Sequence, residues 1–282
     1  MKCIFTIDVE DWFHILDLPS TPDIGEWDSL PSRVEINFVR LLDILAEYDV
    51  VATCFFLGWI AERFPHLVRE AVHRGHEIAS HGYAHRLVYR MNRAEFYEDA
   101  VRSRKTLEDI AGSAIAGYRA TGFSTTEQTP WFFETVRGAG YSYDSTVFPA
   151  ARGHGGMKSG ALAPHTIATP RGSLVEFPIS VSPLLGRPMC FFGGGYLRLF
   201  PYPLIRRMAI SVLQCNRPVI FYVHPREIDP EHPRLPMGAW RRFKSYVNLT
   251  TTERKVRNLL SDFEFTTFRG YLSEMKQAPE MT

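Results

Sequence analysis

Residues 80–85, Ser80-His81-Gly82-Tyr83-Ala84-His85, place two histidines four positions apart, directly after a short apolar run at 77–79. If the backbone between them forms a helical turn, residues i and i+4 share one face and both imidazoles can reach one metal ion. Neutral imidazole is the commonest metal ligand in proteins, and zinc readily accepts two. The alternative is a surface loop with two histidines, and the pair alone does not decide between these readings.

A second polar cluster stands far upstream, where the first apolar run of the chain ends. The stretch Phe5-Thr6-Ile7-Asp8-Val9-Glu10-Asp11 carries three carboxylates within four positions. Two histidines and one carboxylate form a facial metal site that leaves positions open for water and substrate. The two stretches together therefore favour a metal site over an ordinary loop.

Length and composition favour one soluble enzyme domain. The chain has 282 residues, of which 45% are hydrophobic, and α/β barrels of this length are commonly single domains. Its net charge of +1 gives no field that would draw it to nucleic acid or to an anionic membrane. We expect no membrane span and no signal peptide, because the apolar runs are too short. The four scattered cysteines predict no disulfide framework and a reducing, cytoplasmic setting.

Apolar strand-like runs alternate with amphipathic helical patterns from end to end, which predicts an α/β fold with a mainly parallel sheet. Predicted strands cover 3–7, 51–56, 77–80, 117–119, 141–144, 174–178 and 218–223. Predicted helices cover 32–48 capped by Ser32, 59–64, 66–74, 92–111 capped by Asn92, 130–139, 201–215 and 252–261 capped by Thr252. Residues 12–30 form a long loop that is a candidate substrate lip, and 150–170 show no periodicity.

Polar side chains recur where the predicted strands end. Five of them follow strands in this way: Asp8, His81, Arg119, Asp144 and His224. In a barrel that edge carries the active site, so we expect these side chains to meet in one pocket. His14, His154 and His165 are expected to be ordinary loop residues, although His14 stands close to the acidic cluster.

With a metal ion in this pocket, the remaining chemistry is proton transfer. Asp8 is the natural base toward water, and His224 the natural acid toward a leaving group. Arg119 would pair with a carboxylate and keep it ionised, because the guanidinium fork matches carboxylate geometry. Such a set describes hydrolysis of an amide or ester. Each assignment has a structural alternative. Asp8 could cap a loop, Arg119 could form a structural ion pair, and His224 could be a packed loop histidine. For Asp144 we favour capping of the following turn over direct chemistry.

Five motifs follow one another along the chain. They read Thr6-Ile7-Asp8-Val9-Glu10-Asp11-Trp12-Phe13, Ser80-His81-Gly82-Tyr83-Ala84-His85, Tyr118-Arg119-Ala120-Thr121-Gly122-Phe123-Ser124, Tyr143-Asp144-Ser145-Thr146-Val147-Phe148-Pro149 and His224-Pro225-Arg226-Glu227. In order and spacing this set resembles the polysaccharide deacetylase family (carbohydrate esterase family 4, NodB homology domain). The first motif, the Gly-Gly-Gly-Tyr stretch at 193–196 and Glu253-Arg254-Lys255 resemble the subgroup found with bacterial exopolysaccharide gene clusters.

The resemblance implies a distorted, incomplete (β/α) barrel of about seven strands. Residues 1–282 would form a single catalytic domain, with 230–282 completing the barrel. It also implies a divalent metal, zinc before cobalt or nickel, held by an acid and by two histidines that match His81 and His85. It implies Asp8 as the base, tethered by Arg119, and His224 as the acid.

The first motif departs from the common family pattern of two adjacent aspartates followed by glycine. Here Asp8 is followed by Val9 and Glu10. We therefore assign the acidic metal ligand to Glu10, with Asp11 as its competitor.

Two further departures bear on substrate choice. Thr121 replaces the usual proline of the third motif, and Tyr222 replaces the usual leucine before the last histidine. Phe123, Tyr83 and Asp144 are the predicted substrate contacts.

The resemblance implies removal of acetyl groups from an N-acetylated poly- or oligosaccharide, either an exopolysaccharide or its lipid-linked precursor. A competing interpretation is an amidohydrolase of a small non-sugar amide or cyclic ureide on the same scaffold. A non-catalytic carbohydrate-binding relative ranks last, because Asp8, His81 and His85 are all present. The sugar, its chain length and the oligomeric state leave no signal in the sequence.

Overall fold

The structure is a computed structural model that describes residues 2–150, 155–157, 160–184 and 186–277. Its strands are β1 (Cys3–Val9), β2 (Thr53–Phe56), β3 (Glu77–Ser80), β4 (Gly117–Tyr118), β5 (Tyr143–Asp144), β6 (His165–Thr169), β7 (Gly172–Glu176), β8 (Ser182–Leu184), β9 (Arg187–Met189), β10 (Ile220–Val223) and β11 (Phe265–Thr266). Within these ranges, nine strands form one sheet in the order β10-β1-β2-β3-β4-β5-β7-β6, and β11 also pairs with β1. Strands β8 and β9 form a separate hairpin sheet.

The large sheet is parallel except for the antiparallel pair β6–β7. Ile220 of β10 and Tyr143 of β5 belong to one buried cluster, although four strands separate β10 from β5. The rings of Phe123, which follows β4, and of Tyr222 on β10 lie 5.1 Å apart between centroids, which requires the sheet to curl around an interior. The fold is therefore the predicted distorted, incomplete α/β barrel, with more strands than the seven expected.

Helices pack around the sheet. They are α1 (Val34–Glu47), α2 (Gly58–Arg63), α3 (Pro65–His73), α4 (Arg93–Ala111), α5 (Phe132–Gly138), α6 (Gly194–Leu199), α7 (Tyr202–Gln214), α8 (Ala239–Tyr246), α9 (Leu249–Asp262) and α10 (Phe268–Gln277). In α1 the predicted helical spacing is confirmed, because Phe38, Leu41 and Leu45 are buried with Cys54 and Phe56 of β2. Both faces of the central strands are thus buried, as is usual for parallel sheets.

The C-terminal segment closes the barrel at the end where the strands begin. Strand β11 pairs with the start of β1, and the backbone N–H of Phe268 donates to Thr53 Oγ1. The Phe268 ring lies 4.8 Å from that of Phe177 and 5.2 Å from that of Tyr143, measured between centroids. The opposite end, where the strands finish, stays free for polar side chains. A single catalytic domain over 1–282 stays a prediction.

Two predicted helix caps are wrong, and one is confirmed. Ser32 lies outside α1, and its hydroxyl donates to the Asp11 carboxylate. That carboxylate, rather than Ser32, accepts the backbone N–H of Val34 at the start of the helix. Thr252 lies inside α9, which begins after Asn248 in a left-handed conformation. Asn92 caps α4 as predicted, and its Oδ1 accepts from the backbone N–H of Glu95 at 3.0 Å.

Several short elements escaped prediction. Strand β6 lies within 150–170, where no periodicity was visible, and Gly194 and Gly195 open the short helix α6. Strands β6, β8 and β9 and the helices α8 and α10 have weak patterns because only part of each element is buried. His154 lies outside the described residues.

No helix in the described ranges is both long and apolar enough to cross a membrane. The four cysteines are free, and only Cys215 is exposed, in agreement with the predicted absence of a disulfide framework.

Candidate active site

Glu10, His81 and His85 converge where β1 and β3 end. Oε1 of Glu10 lies 2.9 Å from Nε2 of His81 and 2.8 Å from Nε2 of His85. All three side chains are buried, and their potential ligand atoms lie within 4.8 Å of one another. The structure therefore brings together the three residues predicted to hold a metal.

The helical turn expected between the two histidines is absent. The chain leaves β3 through Gly82 and His85 with φ angles of 76° and 52°, and the left-handed conformation at Gly82 suits a residue without Cβ. Asp99 of α4 holds the loop, because its carboxylate accepts from the backbone N–H groups of Tyr83 and Ala84 at 2.8 and 3.2 Å. The histidines thus meet through an irregular loop fixed by a distant carboxylate, which sequence reasoning missed.

The hydrogen bonding of His81 tests whether a cation fits. Its Nδ1 lies 2.7 Å from the carbonyl oxygen of Arg119, which can only accept, so Nδ1 carries the ring hydrogen. In the neutral ring, Nε2 then presents a lone pair toward the carboxylate of Glu10. Such an arrangement is repulsive unless a positive charge lies between the two atoms. The donor set therefore fits a divalent cation.

Electrostatics at Glu10 point the same way. Burial alone would raise the pKa of Glu10, but the nearby His85 and His224 and the contacts of its carboxylate with the His81 and His85 rings hold it well below its usual range. Glu10 is therefore ionised at neutral pH, as a metal ligand must be.

Asp11, the competing ligand, performs another task. Its carboxylate accepts from the backbone N–H groups of Arg33 and Val34, at 3.1 and 3.3 Å, and from Ser32 Oγ at 2.5 Å. These bonds hold Asp11 at the N-terminus of α1, where a negative charge is stabilised. The structure thus assigns the carboxylate beside the histidines to Glu10.

Asp8 and Arg119 form a fully buried ion pair beside this cluster. Nη1 of Arg119 lies 2.7 Å from Oδ1 of Asp8, and the guanidinium also donates to Thr6 Oγ1 and to the Ser145 carbonyl. The guanidinium lies 4.1 Å above the Phe55 ring centroid. The arginine is thereby fixed from several sides, so it orients the carboxylate and leaves Oδ2 facing the site.

His224 stands opposite Asp8. Its Nε2 lies 3.9 Å from Asp8 Oδ2 and 4.0 Å from Glu10 Oε2. Burial alone would lower the pKa of His224, but the charges of Glu10, Glu227 and Asp8 outweigh burial and raise it. A protonated His224 near neutral pH is what an acid at this position requires.

Behind His224 lie two residues that sequence reasoning missed as functional. Oε2 of Glu227 accepts from Nδ1 of His224 at 3.0 Å, and Oε1 lies 3.1 Å from Nη1 of the buried Arg198. Burial alone would raise the pKa of Glu227, but Arg198 and His224 lower it to about 2. The spacing of an acid three residues after His224 matches a capping box and was visible in the sequence, whereas nothing marked Arg198.

A cavity of about 310 Å³ opens over this cluster. Phe123, one of three predicted substrate contacts, lines it together with Tyr196 and Tyr222. The structure corrects the placement of the other two. Tyr83 turns its hydroxyl to Glu62 and its ring face to Arg102, outside the cavity lining.

Asp144, the third predicted contact, lies buried away from the cavity. Its carboxylate accepts from the hydroxyl and backbone N–H of Thr146, as the capping interpretation predicts. Burial raises its pKa to about 6, and it faces the carboxyl group of Glu176, whose pKa burial and Asp144 raise further. Asp144 and Glu176 thus form a structural carboxyl pair.

His14 is not the ordinary loop residue expected. It is buried, lines the cavity, and its ring centroid lies 5.2 Å from that of His85. The predicted lip at 12–30 is partly correct: residues 14–16 line the cavity, whereas Trp12 and Trp27 are buried in an aromatic cluster.

Two family profiles match the chain. Residues 26–143 match the polysaccharide deacetylase family, and residues 145–273 match a domain of unknown function, DUF3473. A peptidoglycan-N-acetylglucosamine deacetylase from Bacillus cereus is 35% identical over 75 residues, which is 27% of this chain and 27% of that protein. The chain spans less than half the length of the curated relatives it matches.

Solved structures share the fold over nearly the whole chain. A protein assigned as a polysaccharide deacetylase from Mycobacterium smegmatis aligns with a TM-score of 0.64 at 22% identity, covering 99% of this chain and 91% of that one. Puue allantoinase aligns with a TM-score of 0.62 at 17% identity and the same coverage. At these identities the likeness shows the fold alone.

Proposed function

We propose that the chain is a metal-dependent hydrolase that removes N-acetyl groups from a poly- or oligosaccharide, because residues 26–143 match the polysaccharide deacetylase family. The observation that carries this proposal is the convergence of Glu10, His81 and His85 beside the Asp8–Arg119 pair and His224. The substrate would be an exopolysaccharide or its lipid-linked precursor. Relatives named peptidoglycan and chitooligosaccharide deacetylases support an N-acetylated glycan.

Glu10, His81 and His85 would hold the metal. Zinc suits one carboxylate and two imidazoles, and cobalt or nickel can replace it in such a set. When bound, the ion supplies polarisation of a carbonyl group and acidification of water. The hydrogen bond from His81 Nδ1 to the Arg119 carbonyl would fix the ring for this role, because it keeps Nε2 directed at Glu10.

Asp8 is the general base in this proposal. Its Oδ1 is held by Arg119, so Oδ2 receives the proton of the water that attacks the acetamido carbonyl. Arg119 acts through Asp8 and is a positioning residue, since its guanidinium is enclosed by protein groups.

His224 is the general acid. Its Nε2 delivers a proton to the sugar nitrogen as the bond from the carbonyl carbon to nitrogen breaks, which yields acetate and a free amine. Glu227 holds Nδ1 and keeps Nε2 directed at the cavity. Phe123 forms an apolar wall beside this reaction.

Acetate release from N-acetylglucosamine oligomers tests the proposal. Metal-stripped protein is assayed alone and after addition of zinc, cobalt or nickel. We expect release only with metal. A protein that binds zinc yet releases no acetate with any metal would contradict glycan deacetylation and favour hydrolysis of a small non-sugar amide or cyclic ureide.

A further inference from the structure

The cavity beyond the metal cluster is lined by basic groups. Apart from Asp8 and Glu10, its charged lining side chains are Arg198, Arg226, Arg241 and Lys244. Asp8 is already paired with Arg119, and Arg198 is paired with Glu227. Arg226 has no carboxylate within salt-bridge distance among the described residues, and its Nη1 is buried without a hydrogen-bond partner there. A buried guanidinium nitrogen without an acceptor is costly, which points to an acceptor supplied by a ligand.

His14 supplies a second unmatched donor in the same cavity. Its Nδ1 accepts the backbone N–H of Asp11 at 2.9 Å, so the hydrogen of the neutral ring lies on Nε2. Nε2 is buried and has no partner among the described residues. A nitrogen that carries hydrogen cannot bind a metal, so His14 is a donor rather than a fourth ligand.

We propose that Arg226 and His14 bind an oxyanion of the substrate, so that the preferred glycan carries a carboxylate or phosphate near the acetamido sugar. This inference rests on the proposed function and adds the charge of its substrate. The guanidinium fork matches carboxylate and phosphate oxygens alike, and the neutral Nε2–H group donates to either. The other basic side chains of the lining, Arg241 and Lys244, add to the positive potential of the entrance.

Acetate release from three substrates tests this inference. They are a neutral N-acetylglucosamine tetramer, a hyaluronan tetrasaccharide in which glucuronate alternates with N-acetylglucosamine, and UDP-N-acetylglucosamine as the phosphate arm. We expect kcat/KM for at least one charged substrate to exceed the neutral value about tenfold or more at low salt. A preference for the hyaluronan tetrasaccharide would indicate recognition of a carboxylate, and a preference for UDP-N-acetylglucosamine would indicate recognition of a phosphate. The preference should shrink as salt is raised.

Variants locate the recognition. Arg226→Gln should lower the ratio of charged to neutral kcat/KM roughly tenfold to a hundredfold, the range for hydrogen bonds to a charged group. Arg242→Gln is the matched control, because Arg242 is exposed on α8 and outside the lining, and it should leave the ratio unchanged. His14→Phe keeps a ring of similar shape without the donor and should also lower the ratio. If it fails to fold, Arg226→Gln alone decides.

Two results would overturn the inference while leaving deacetylation intact. One is an equal kcat/KM for charged and neutral glycans, and the other is a preference that Arg226→Gln does not change. If no substrate releases acetate, calorimetric binding of the same three compounds to wild type and Arg226→Gln decides instead. Equal affinities in that experiment would reject the oxyanion site, independently of the reaction.

Discussion

Nδ1 of His224 lies 3.0 Å from Oε2 of Glu227, and the same oxygen accepts the backbone N–H of His224 at 3.0 Å. One carboxylate oxygen therefore fixes both the ring and the backbone of the proposed acid. Because Glu227 is ionised, Nδ1 carries a hydrogen and Nε2 is the atom that titrates toward the cavity.

Replacing Glu227 with Gln should lower kcat roughly 10- to 100-fold, because the histidine loses its orientation and the charge that raises its pKa. The sign follows from the acid role: His224 must be protonated, so a lower pKa moves the alkaline limb of the kcat/KM profile to lower pH. A pH profile of acetate release measures both effects. Glu231→Gln, on the same loop, is the control. An unmoved alkaline limb would remove Glu227 from the proton transfer.

Asp8 and Glu10 are separated by one residue but have different proposed tasks. Asp8→Asn should lower kcat roughly 10²- to 10⁴-fold, the usual contribution of a general base, while zinc affinity changes less than about threefold. Glu10→Gln should instead weaken zinc binding by more than the roughly 10- to 100-fold that outer-shell partners contribute. Zinc titration and acetate release on the two variants separate the roles. Full activity in Asp8→Asn would rule it out as the base.

Asp11 should matter for stability rather than for the metal. Asp11→Ala removes the acceptor at the start of α1 and should lower the free energy of unfolding of the metal-free protein by about 1–3 kcal/mol. Asp28→Ala, which removes an exposed carboxylate paired with Arg63, should change it by less than about 0.5 kcal/mol. Urea unfolding measures both. If Asp11→Ala lost zinc binding while its stability stayed unchanged, Asp11 would instead be a metal ligand.

The sequence predicted the parts of the site that follow buried parallel strands. Such strands appear as apolar runs, so the polar residue after each run could be placed at one edge of the sheet. On this basis Asp8, His81, Arg119 and His224 were correctly expected to lie close together. The same reasoning misplaced Asp144, because a residue at a strand end can also turn back and cap its own chain, and Thr146 provides the partner.

The remaining parts depend on contacts that have no local pattern. The loop between the two histidines is held by Asp99, which stands on a helix and has no spacing that links it to the site. Arg198 reaches Glu227 across the fold, and His14 is enclosed by aromatic rings brought together only by tertiary packing. Such residues become visible only when burial and unsatisfied hydrogen bonds are known.

The buried carboxyl pair Asp144–Glu176 predicts a stability that falls as pH rises. The pKa of Glu176 is raised, first by burial and then by Asp144, so the folded protein keeps a proton that the unfolded chain releases near its ordinary pKa. Stability from this proton is complete below the unfolded pKa and is lost as pH rises toward the folded one. Glu176→Gln keeps an uncharged donor and avoids that loss. Its stability relative to wild type should increase with pH, by up to about 1.4 kcal/mol per pH unit.

Chemical unfolding of wild type and Glu176→Gln between pH 5 and pH 8 measures this difference. Glu127→Gln is the control, because Glu127 is exposed and its replacement should give a curve parallel to that of wild type. The backbone N–H of Val147 donates to Glu176 Oε1 at 2.9 Å, and the amide oxygen of Gln can preserve this bond. Any gain in the stability of Glu176→Gln over wild type at high pH therefore arises from the removed charge and not from a change in this hydrogen bond. Parallel curves for Glu176→Gln and wild type would show that the pair holds no proton above the ordinary carboxyl range.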